Sequence, residues 1–552
     1  MSWRVWIAGL WLGSLVLLFT HLGDLPLRDW DEALVARVAE EISLRPFPAN
    51  LLPTLWWQPY LNKPPLLHGL IAGLIQLWRG AAPLEAVRQV PPEWLVRAVP
   101  AFCSSLIVPL VAMVQWRLRP GDRLAAICTA AVALTLLPLM RHGRLAMLDG
   151  TLIAAMTLQW WALLSLPSQP TALALRRWGV IAGLAGSAVL LLKAPASLPL
   201  LAGGCLLLAV ERRWPLRLWL PLLGWIGVGL LPGLFWHGWH LWERGPDALK
   251  MWGGQGLARV VSQLEGHSGG WLVPVMEILE GGWPWLVLWP LAMLIAWRQR
   301  RQRWGYWVLG LTLLTAAAVL PLKTQLPWYS HLLWPSFALA VGPLFSMLIS
   351  RDGNASGWPK RLLVRVPGLW LLAGALLLLV SARLPVPLAV TLPAGLALLL
   401  GGALLLARQE RQRRLGGALM VLFLWMALLN LFASPLWLWE LRETWAVRPV
   451  AGWLPASSAA DPAPILLQAE ERPSLNWYLG RELATGREAR RRFREATTPL
   501  LVLSEGDPST ESVHCRLLRQ ASDRKPPGPG LYSCAPKVGV SALGALESRI
   551  EP

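Results

Sequence analysis

The chain has 552 residues, of which 55% are hydrophobic and 15% are charged, and its mean hydropathy is +0.45. Soluble proteins carry about 25% charged residues, so this composition excludes an ordinary soluble enzyme, a collagen-like chain and a disordered protein. The net charge is +19. Apolar blocks of about twenty residues recur along the chain, and only a bilayer accommodates many such blocks. The composition therefore predicts a polytopic membrane protein.

The apolar blocks predict thirteen transmembrane spans. The first ends near Thr20 and lacks a small-residue cleavage site after it, so it is expected to stay uncleaved. The others lie roughly at residues 96–116, 122–139, 149–166, 178–192, 195–210, 217–236, 283–297, 304–321, 331–349, 366–382, 385–407 and 415–433. A shorter apolar block, 65–79, is expected to lie in the membrane interface.

Lysine and arginine cluster in alternate short loops, which the positive-inside rule places in the cytoplasm. The N-terminus is then cytoplasmic, while the long segments 21–95 and 237–282 and the polar C-terminal tail face outside. This orientation predicts a multi-pass protein of the plasma (inner) membrane. Since the positive charge lies between apolar blocks, no nucleic-acid partner is expected.

Three regions follow from these patterns. Residues 1–433 form the membrane domain, a Pro/Ala/Ser-rich stretch within 434–463 forms a linker, and residues 464–552 form a small extracytoplasmic α/β domain. Short β-like runs, Pro464–Gln468 and Pro499–Leu503, flank an Arg-rich helical segment. In that domain Cys515 and Cys534 can form a disulfide if they face an oxidising compartment.

Residues 28–42 hold the first candidate site. From Asp31 onward the spacing is typical of an amphipathic helix that lies along the membrane surface. Its polar face carries Arg37, Glu40 and Glu41. Because acids near a bilayer are costly and usually mark a function, Asp31, followed by Glu32, is a candidate general base. The alternative is that Asp31 only caps the helix.

Two basic segments are candidate phosphate sites. Lys63, three residues after Tyr60, is followed by two prolines that fix the chain as it returns to the membrane. A Lys held in such a turn suits a phosphate, and the alternative is an interfacial Lys that snorkels.

In the second basic segment, Arg141, His142 and Arg144 end one span, and Asp149 begins the next. Guanidinium groups bind phosphate bidentately. The alternative is structural, with Arg144 and Asp149 paired to hold a hairpin.

Weaker signals lie on the same side of the membrane. Lys193 joins two spans, and Tyr329 belongs to an aromatic segment that can line a lipid or sugar site. His237 and His240 have a spacing that suits a metal on a helix. No third ligand accompanies them, so no metal ligand is assigned.

Together and in this order, these motifs resemble one family. An outer Asp-Glu pair, Tyr-Leu-Asn-Lys-Pro-Pro, Arg-Leu-Ala-Met-Leu-Asp-Gly, Lys-Ala-Pro and a late Pro-Trp-Tyr are similar to motifs of the polyprenyl-phosphate-dependent GT-C glycosyltransferases. This group includes protein O-mannosyltransferases and the lipid A aminoarabinose transferase. The motifs that carry the resemblance lie within residues 1–345. The remainder is similar only in its arrangement of further spans followed by an outer C-terminal domain. It implies an α-helical GT-C fold with about 13 transmembrane helices, outer-face amphipathic helices and a small α/β C-terminal domain.

The resemblance also implies roles for residues. Its members take a sugar from undecaprenyl or dolichyl phosphate at the outer leaflet. Asp31 matches their base, Lys63 matches the Lys that binds the donor phosphate, and Asp149 matches an Asp of the same cavity. Arg141 and Arg144 are expected, by position, to assist the phosphate. Glu32 is grouped with the catalytic acids, and the expected cavity residues are Tyr60, His142, Lys193 and Tyr329.

Two positions depart from the aminoarabinose transferase. Asn62 stands where that enzyme has an acidic residue associated with a metal site, so no cofactor is assigned and a divalent metal is left open. Leu34 and Val35 stand where the aminoarabinose transferase has Arg-Tyr after its Asp-Glu pair. The identity of the donor sugar is therefore left open, whereas the predicted reaction class is unchanged.

The sequence therefore predicts an inverting membrane glycosyltransferase. It would move a hexosyl or pentosyl group from a polyprenyl-phosphate donor to a hydroxyl or phosphate of a lipid A-like glycolipid or a protein, outside the cytoplasm. The alternative is a multi-pass transporter or flippase for lipid or sugar, which predicts charges near mid-bilayer and related halves. The sequence has charge at the outer edge and no evident repeat.

Overall fold

The computed structural model describes residues 2–81, 90–253, 270–350, 358–438, 445–454, 464–467, 469, 471–510, 512–521 and 528–536. Two compact units divide the chain. The first comprises Met1–Leu22, Tyr60–Leu67 and Arg97–Trp437, and the second comprises Gly23–Pro59, His68–Val96 and Leu438–Pro552. Residues 254–269 of the predicted outer loop and 455–463 of the predicted linker lie outside the described residues.

Apolar helices make up most of the first unit. They are Trp3–Phe19, Glu93–Ser105 (from Arg97 onward), Ile107–Leu118, Arg123–Thr135, Leu137–Gly143, Leu148–Leu164, Ala172–Leu192, Ala194–Arg212, Leu216–Arg244, Leu272–Gly281, Trp289–Arg298, Arg303–Val319, Trp334–Ser350, Trp358–Leu363, Val366–Val380, Leu388–Leu406 and Glu410–Phe432. Each predicted span overlaps one of these helices, because a long apolar run is a local signal that needs no tertiary partner to be recognised.

Among the described residues, seven helical segments are long and apolar enough to cross a membrane, and two bent helix pairs raise the number to nine. The helical, multi-span class is confirmed, but the count of thirteen is not. Several predicted spans form helices of 17 residues, such as Leu148–Leu164 and Arg303–Val319. These are shorter than the roughly 20 residues that cross a bilayer core without tilt.

Two glycines bring helices of the first unit into backbone contact. A Cβ added at Gly183 would lie 2.2 Å from the carbonyl oxygen of Ile226, and one at Gly229 would lie 2.5 Å from that of Val180. Lipid offers no hydrophobic force between helices, so close packing of small residues holds such pairs together. The helix Ala172–Leu192, which ends just before Lys193, is packed in this way against the helix Leu216–Arg244.

The second unit contains a short hairpin, β1 (Thr54–Leu55) and β2 (Gln58–Pro59), and a four-stranded sheet. The sheet order is β3-β4-β6-β5. Its strands are β3 (Ile465–Leu467), β4 (Leu500–Ser504), β5 (Val513–Gln520) and β6 (Gly530–Pro536). β3 runs parallel to β4, and the other pairs are antiparallel. Both β-like runs predicted from the sequence are strands, and the helix Gly486–Arg494 lies between them along the chain.

A disulfide joins the two antiparallel strands β5 and β6. Cys515 and Cys534 lie directly opposite each other in the register, with their Cα atoms 4.1 Å apart. The pairing that the sequence left open is therefore present in the fold.

The predicted helix is present as Leu34–Leu44, and the side chains of its polar face are buried within the protein. Arg37 forms ion pairs with Glu41 at 2.8 Å and Glu40 at 3.0 Å, and Arg79 forms another with Glu40 at 3.0 Å. A pattern within one helix does not show a cation supplied by a second helix, so the Arg79–Glu40 pair has no signal in the sequence.

Candidate functional site

The candidate base Asp31 lies in a π-helical turn, Asp29–Ala33, that leads into the helix Leu34–Leu44. Asp31 is partly exposed, whereas Asp29 and Glu32 are buried. The N-cap position of the helix belongs to Ala33, so a capping role does not account for Asp31. Single π-helical turns occur frequently at functional sites.

Asp29 is held by the C-terminal part of the chain, which sequence reasoning did not predict. Its carboxylate accepts hydrogen bonds from the Arg472 guanidinium and from both the backbone nitrogen and the hydroxyl of Ser474. The side chains of Arg472 and Asp29 are 2% and 6% exposed. A contact across 443 positions has no local signal, although an acid two residues before the candidate base is a reason to look for one.

Glu32 and Arg28 add two buried charges to the same segment. One Glu32 carboxylate oxygen accepts a hydrogen bond from the Arg28 backbone nitrogen at 3.1 Å. The Arg28 guanidinium is 1% exposed and has no hydrogen-bond partner among the described residues. A buried cation of this kind is costly unless an anion neutralises it.

Lys63 lies in the turn that leads into the helix Leu66–Ala81. Its side chain is partly exposed, Asn62 is exposed and Tyr60 is buried. Two prolines between Lys63 and the helix restrict the turn. The result is a cation that a ligand can reach, on a backbone with little freedom.

Three predicted residues meet in the first unit. Asp149, in the first turn of Leu148–Leu164, accepts from the Lys193 ammonium at 3.2 Å. The same ammonium lies 4.7 Å from the ring centroid of Tyr329. The Lys193 and Asp149 side chains are 27% and 12% exposed. The lysine ammonium, the aspartate carboxylate and the tyrosine ring therefore form a polar cluster that a ligand can reach.

Arg144 is engaged with the first helix rather than directed at an open site. Its guanidinium donates to the carbonyl oxygens of Leu17 at 3.1 Å and Thr20 at 2.5 Å, and lies over the rings of Phe432 and Trp437. These contacts favour a structural role.

Arg141 and His142 are also buried next to the helix Leu148–Leu164. Arg141 donates to the carbonyl oxygen of Trp437 at 2.8 Å. The His142 ring packs edge-on against the ring of His331, with centroids 4.0 Å apart. Both residues are at most 4% exposed, and His331 belongs to the short helix Pro327–Leu333 that also contains Tyr329.

No group of three or more His, Cys, Asp or Glu residues suited to a metal occurs among the residues that the structure describes. His237 lies near the carbonyl oxygen of Leu190 at 3.2 Å, and His240 stacks on Trp236. These packing contacts account for both histidines.

A cavity of about 290 Å³ lies at the loops predicted to be cytoplasmic. Its polar lining includes Arg119, Asp122, Gln299, Gln302 and Arg303. None of the predicted site residues lines it, and Arg119 pairs with Asp122 at 3.1 Å. The cavity is therefore separate from the candidate site.

A known family model matches one part of the chain. Residues 59–239 match the family model described as dolichyl-phosphate-mannose-protein mannosyltransferase. This range includes Tyr60, Lys63, Arg141, Asp149 and Lys193. A search of curated protein sequences gave no significant match.

The fold is similar to that of ArnT from Cupriavidus metallidurans. The structure of ArnT bound to undecaprenyl phosphate aligns with a TM-score of 0.67 and its apo structure with 0.66, each at 18% identity. Both alignments cover 97% of this chain and 98% of ArnT. This similarity confirms the GT-C fold predicted from the sequence. The family match over residues 59–239 agrees with the resemblance predicted from the sequence motifs.

Proposed function

We propose that this chain transfers a sugar from a polyprenyl-phosphate donor to a hydroxyl or phosphate acceptor at the extracytoplasmic face of the inner membrane. The observation that carries the proposal is the family match over residues 59–239. The similar fold of ArnT, whose structure was solved with undecaprenyl phosphate, supports a polyprenyl phosphate as the carrier. The acceptor class is a lipid A-like glycolipid or a protein.

Asp31 is proposed to be the general base. Its partial exposure lets an acceptor reach it, and the buried Asp29 and Glu32 on either side hold its turn in place. A carboxylate that takes the acceptor proton contributes about 10²–10⁴-fold to such a reaction. Attack on the anomeric carbon from the side opposite the phosphate inverts its configuration.

Lys63 is proposed to bind the donor phosphate and to stabilise the negative charge that develops as the phosphate leaves. The ammonium of Lys193, oriented by Asp149 and Tyr329, is proposed as a further contact to the sugar or phosphate. The buried guanidinium of Arg28 supports an anionic ligand near the Asp31 turn. The proposed domains remain a membrane domain of residues 1–433 and an outer domain of residues 464–552.

The outer location of the C-terminal domain is supported by the Cys515–Cys534 disulfide, because disulfides persist in oxidising compartments such as the periplasm. The Arg-rich loops predict the same orientation. The site would then use a lipid-linked donor and not a nucleotide sugar.

The test is sugar transfer by the purified protein from undecaprenyl-phosphate sugars, with membrane extract as acceptor. We expect free undecaprenyl phosphate to appear together with a glycosylated product of inverted anomeric configuration. Lys63→Ala should lose about 100-fold or more in kcat/KM, because the charge on the leaving phosphate loses its partner.

The control variant is Lys250→Ala, which removes an exposed lysine paired with Asp247 and should react like the wild type. Absence of release with every donor, together with donor flux across proteoliposomes, would contradict the proposal and favour a flippase.

A further inference from the structure

We infer that the C-terminal domain positions the catalytic turn, with Arg472 and Ser474 as positioning residues for Asp31. The inference rests on the proposed function, since it takes Asp31 as the base. All the residues involved lie within the second unit, so their contacts are made inside one compact body.

The carboxylate of Asp29 is bound on both oxygens. One accepts from the Arg472 Nε atom, and the other accepts from the backbone nitrogen of Ser474 at 3.1 Å and from its hydroxyl. Arg472 is itself fixed, because its guanidinium donates to the backbone carbonyl oxygen of Trp445 at 2.9 Å. The same guanidinium lies over the indole ring of Trp445, 4.7 Å from the ring centroid. Asp29 therefore has one available position.

The chain just before Asp29 is held by Tyr478 of the same domain and by Arg448 from the segment predicted as a linker. The Tyr478 hydroxyl accepts from the Leu27 backbone nitrogen at 3.0 Å and donates to Glu93 at 2.7 Å. Arg448 donates to the carbonyl oxygens of Asp24 at 2.8 Å and Gly23 at 3.1 Å.

Four residues from Gly23 to Asp29 are thus bound by C-terminal side chains. The last of them is two residues before Asp31 and begins the same π-helical turn.

Stability alone does not account for this arrangement. A buried ion pair loses so much hydration that apolar residues of similar volume often give an equal or more stable protein. What charged and hydroxyl groups add is direction, because a carboxylate with three donors cannot rotate. A base misplaced by about 1 Å can lose about 100-fold in rate, so a turn that carries a base gains from such contacts.

The experiment compares Arg472→Gln, Arg472→Lys and Ser474→Ala with the full-length wild type in detergent. Arg492→Gln is the matched control, since Arg492 belongs to an exposed ion pair with Glu488 in the same domain. Two quantities are measured: hydrogen exchange in the peptide spanning residues 27–33, and kcat and KM with an undecaprenyl-phosphate sugar. Exchange in the sheet strands reports whether the domain stays folded.

We expect Arg472→Gln to lose protection in residues 27–33 and to lose about 100-fold in kcat with little change in donor KM. Ser474→Ala, the milder change, should lose about 10-fold, and Arg472→Lys should recover much of the loss because it keeps the charge. The control should match the wild type in both measurements.

Unchanged protection of residues 27–33 in Arg472→Gln and Ser474→Ala would overturn the inference whatever the activity. Lost protection with an unchanged kcat would also overturn it, since the contact would then be structural only. If the wild type itself transfers no sugar, the proposed function fails and the positioning role fails with it. The wild-type rate alone therefore distinguishes a failure of the proposed function from a failure of the positioning role.

Discussion

The two units stabilise their buried arginines in different ways. In the first unit Arg413 donates to four backbone carbonyls, those of Ile349, Ser350, Ala407 and Arg408. These carbonyls lie at the ends of helices, where they have no intrahelical partner and carry partial negative charge. In the second unit Arg37 and Arg472 form ion pairs with Glu41 and Asp29.

The difference follows from what surrounds each arginine. Apolar helices place few acids near one another, so a buried guanidinium there neutralises helix ends and fixes how helices stop. The second unit buries several carboxylates, and Arg37 and Arg472 each pair with one of them. The first pattern fixes helix ends, and the second places paired charges near the turn that carries the proposed base, Asp31.

The largest expected change in stability tests an ion pair of the second unit. Asp29→Ala leaves Arg472 buried without its partner and should destabilise the second unit by about 3–5 kcal/mol. The double variant Asp29→Leu/Arg472→Met should recover most of that loss, because no buried charge remains. Pulse proteolysis of the detergent-solubilised protein measures both. Equal losses in the two variants would show that the pair is not coupled.

The disulfide should make the stability of the second unit, but not that of the first, sensitive to reductant. Replacing Cys515 and Cys534 by Ala should destabilise the sheet by about 3 kcal/mol, the chain-entropy value for a short loop. The wild type should lose the same amount in dithiothreitol. Cys128→Ala in the first unit should not change this sensitivity, since Cys128 is a free buried thiol. A reductant response identical in the wild type and the double variant would contradict this assignment.

A smaller loss is expected when a helix-end arginine is removed. Arg413→Met leaves carbonyls of two helix ends without their charged donor, which should cost about 1.5–3 kcal/mol. The neighbouring Arg414→Met provides the matched control, because Arg414 is 67% exposed and its ion pair with Glu410 lies at the surface. Thermal unfolding in detergent should separate the two variants, and equal unfolding temperatures would refute the role given to Arg413.

The smallest expected effect is a pH dependence in the second unit. Burial, and then the Glu93 carboxylate, raise the pKa of Tyr478. The folded protein thus holds this proton more tightly than the unfolded chain, so its contribution is complete below about pH 10 and declines as pH rises further. Tyr478→Phe should therefore lose less stability than the wild type between about pH 10 and 11. Parallel curves for the two proteins would exclude this effect.

The sequence was sufficient for features with a local signal. Apolar runs mark the helices, and the β-like runs around Leu466 and Val502 mark two strands. The motifs around Lys63, Asp149 and Lys193 supported the family resemblance, since each is a short pattern that can be read without a fold.

Features that depend on distant partners could not be predicted. The partner of Asp29 lies 443 positions away, and the burial of Glu40 depends on Arg79 from a separate helix. For Asp149, a nearby Arg144 was the partner considered from the sequence, whereas the fold places Lys193 at 3.2 Å. Charge pairing inside a fold is a property of packing, which composition and periodicity do not contain.

Asp31→Asn tests the central claim most directly, with Asp247→Asn as control because Asp247 is an exposed acid in a surface pair with Lys250. The measurement is the rate at which the purified protein releases undecaprenyl phosphate from an undecaprenyl-phosphate sugar in the presence of acceptor. We predict that Asp31→Asn loses about 10²–10⁴-fold while Asp247→Asn keeps the wild-type rate, both proteins being folded. A full rate in Asp31→Asn would contradict the assignment of the base and the mechanism built on it.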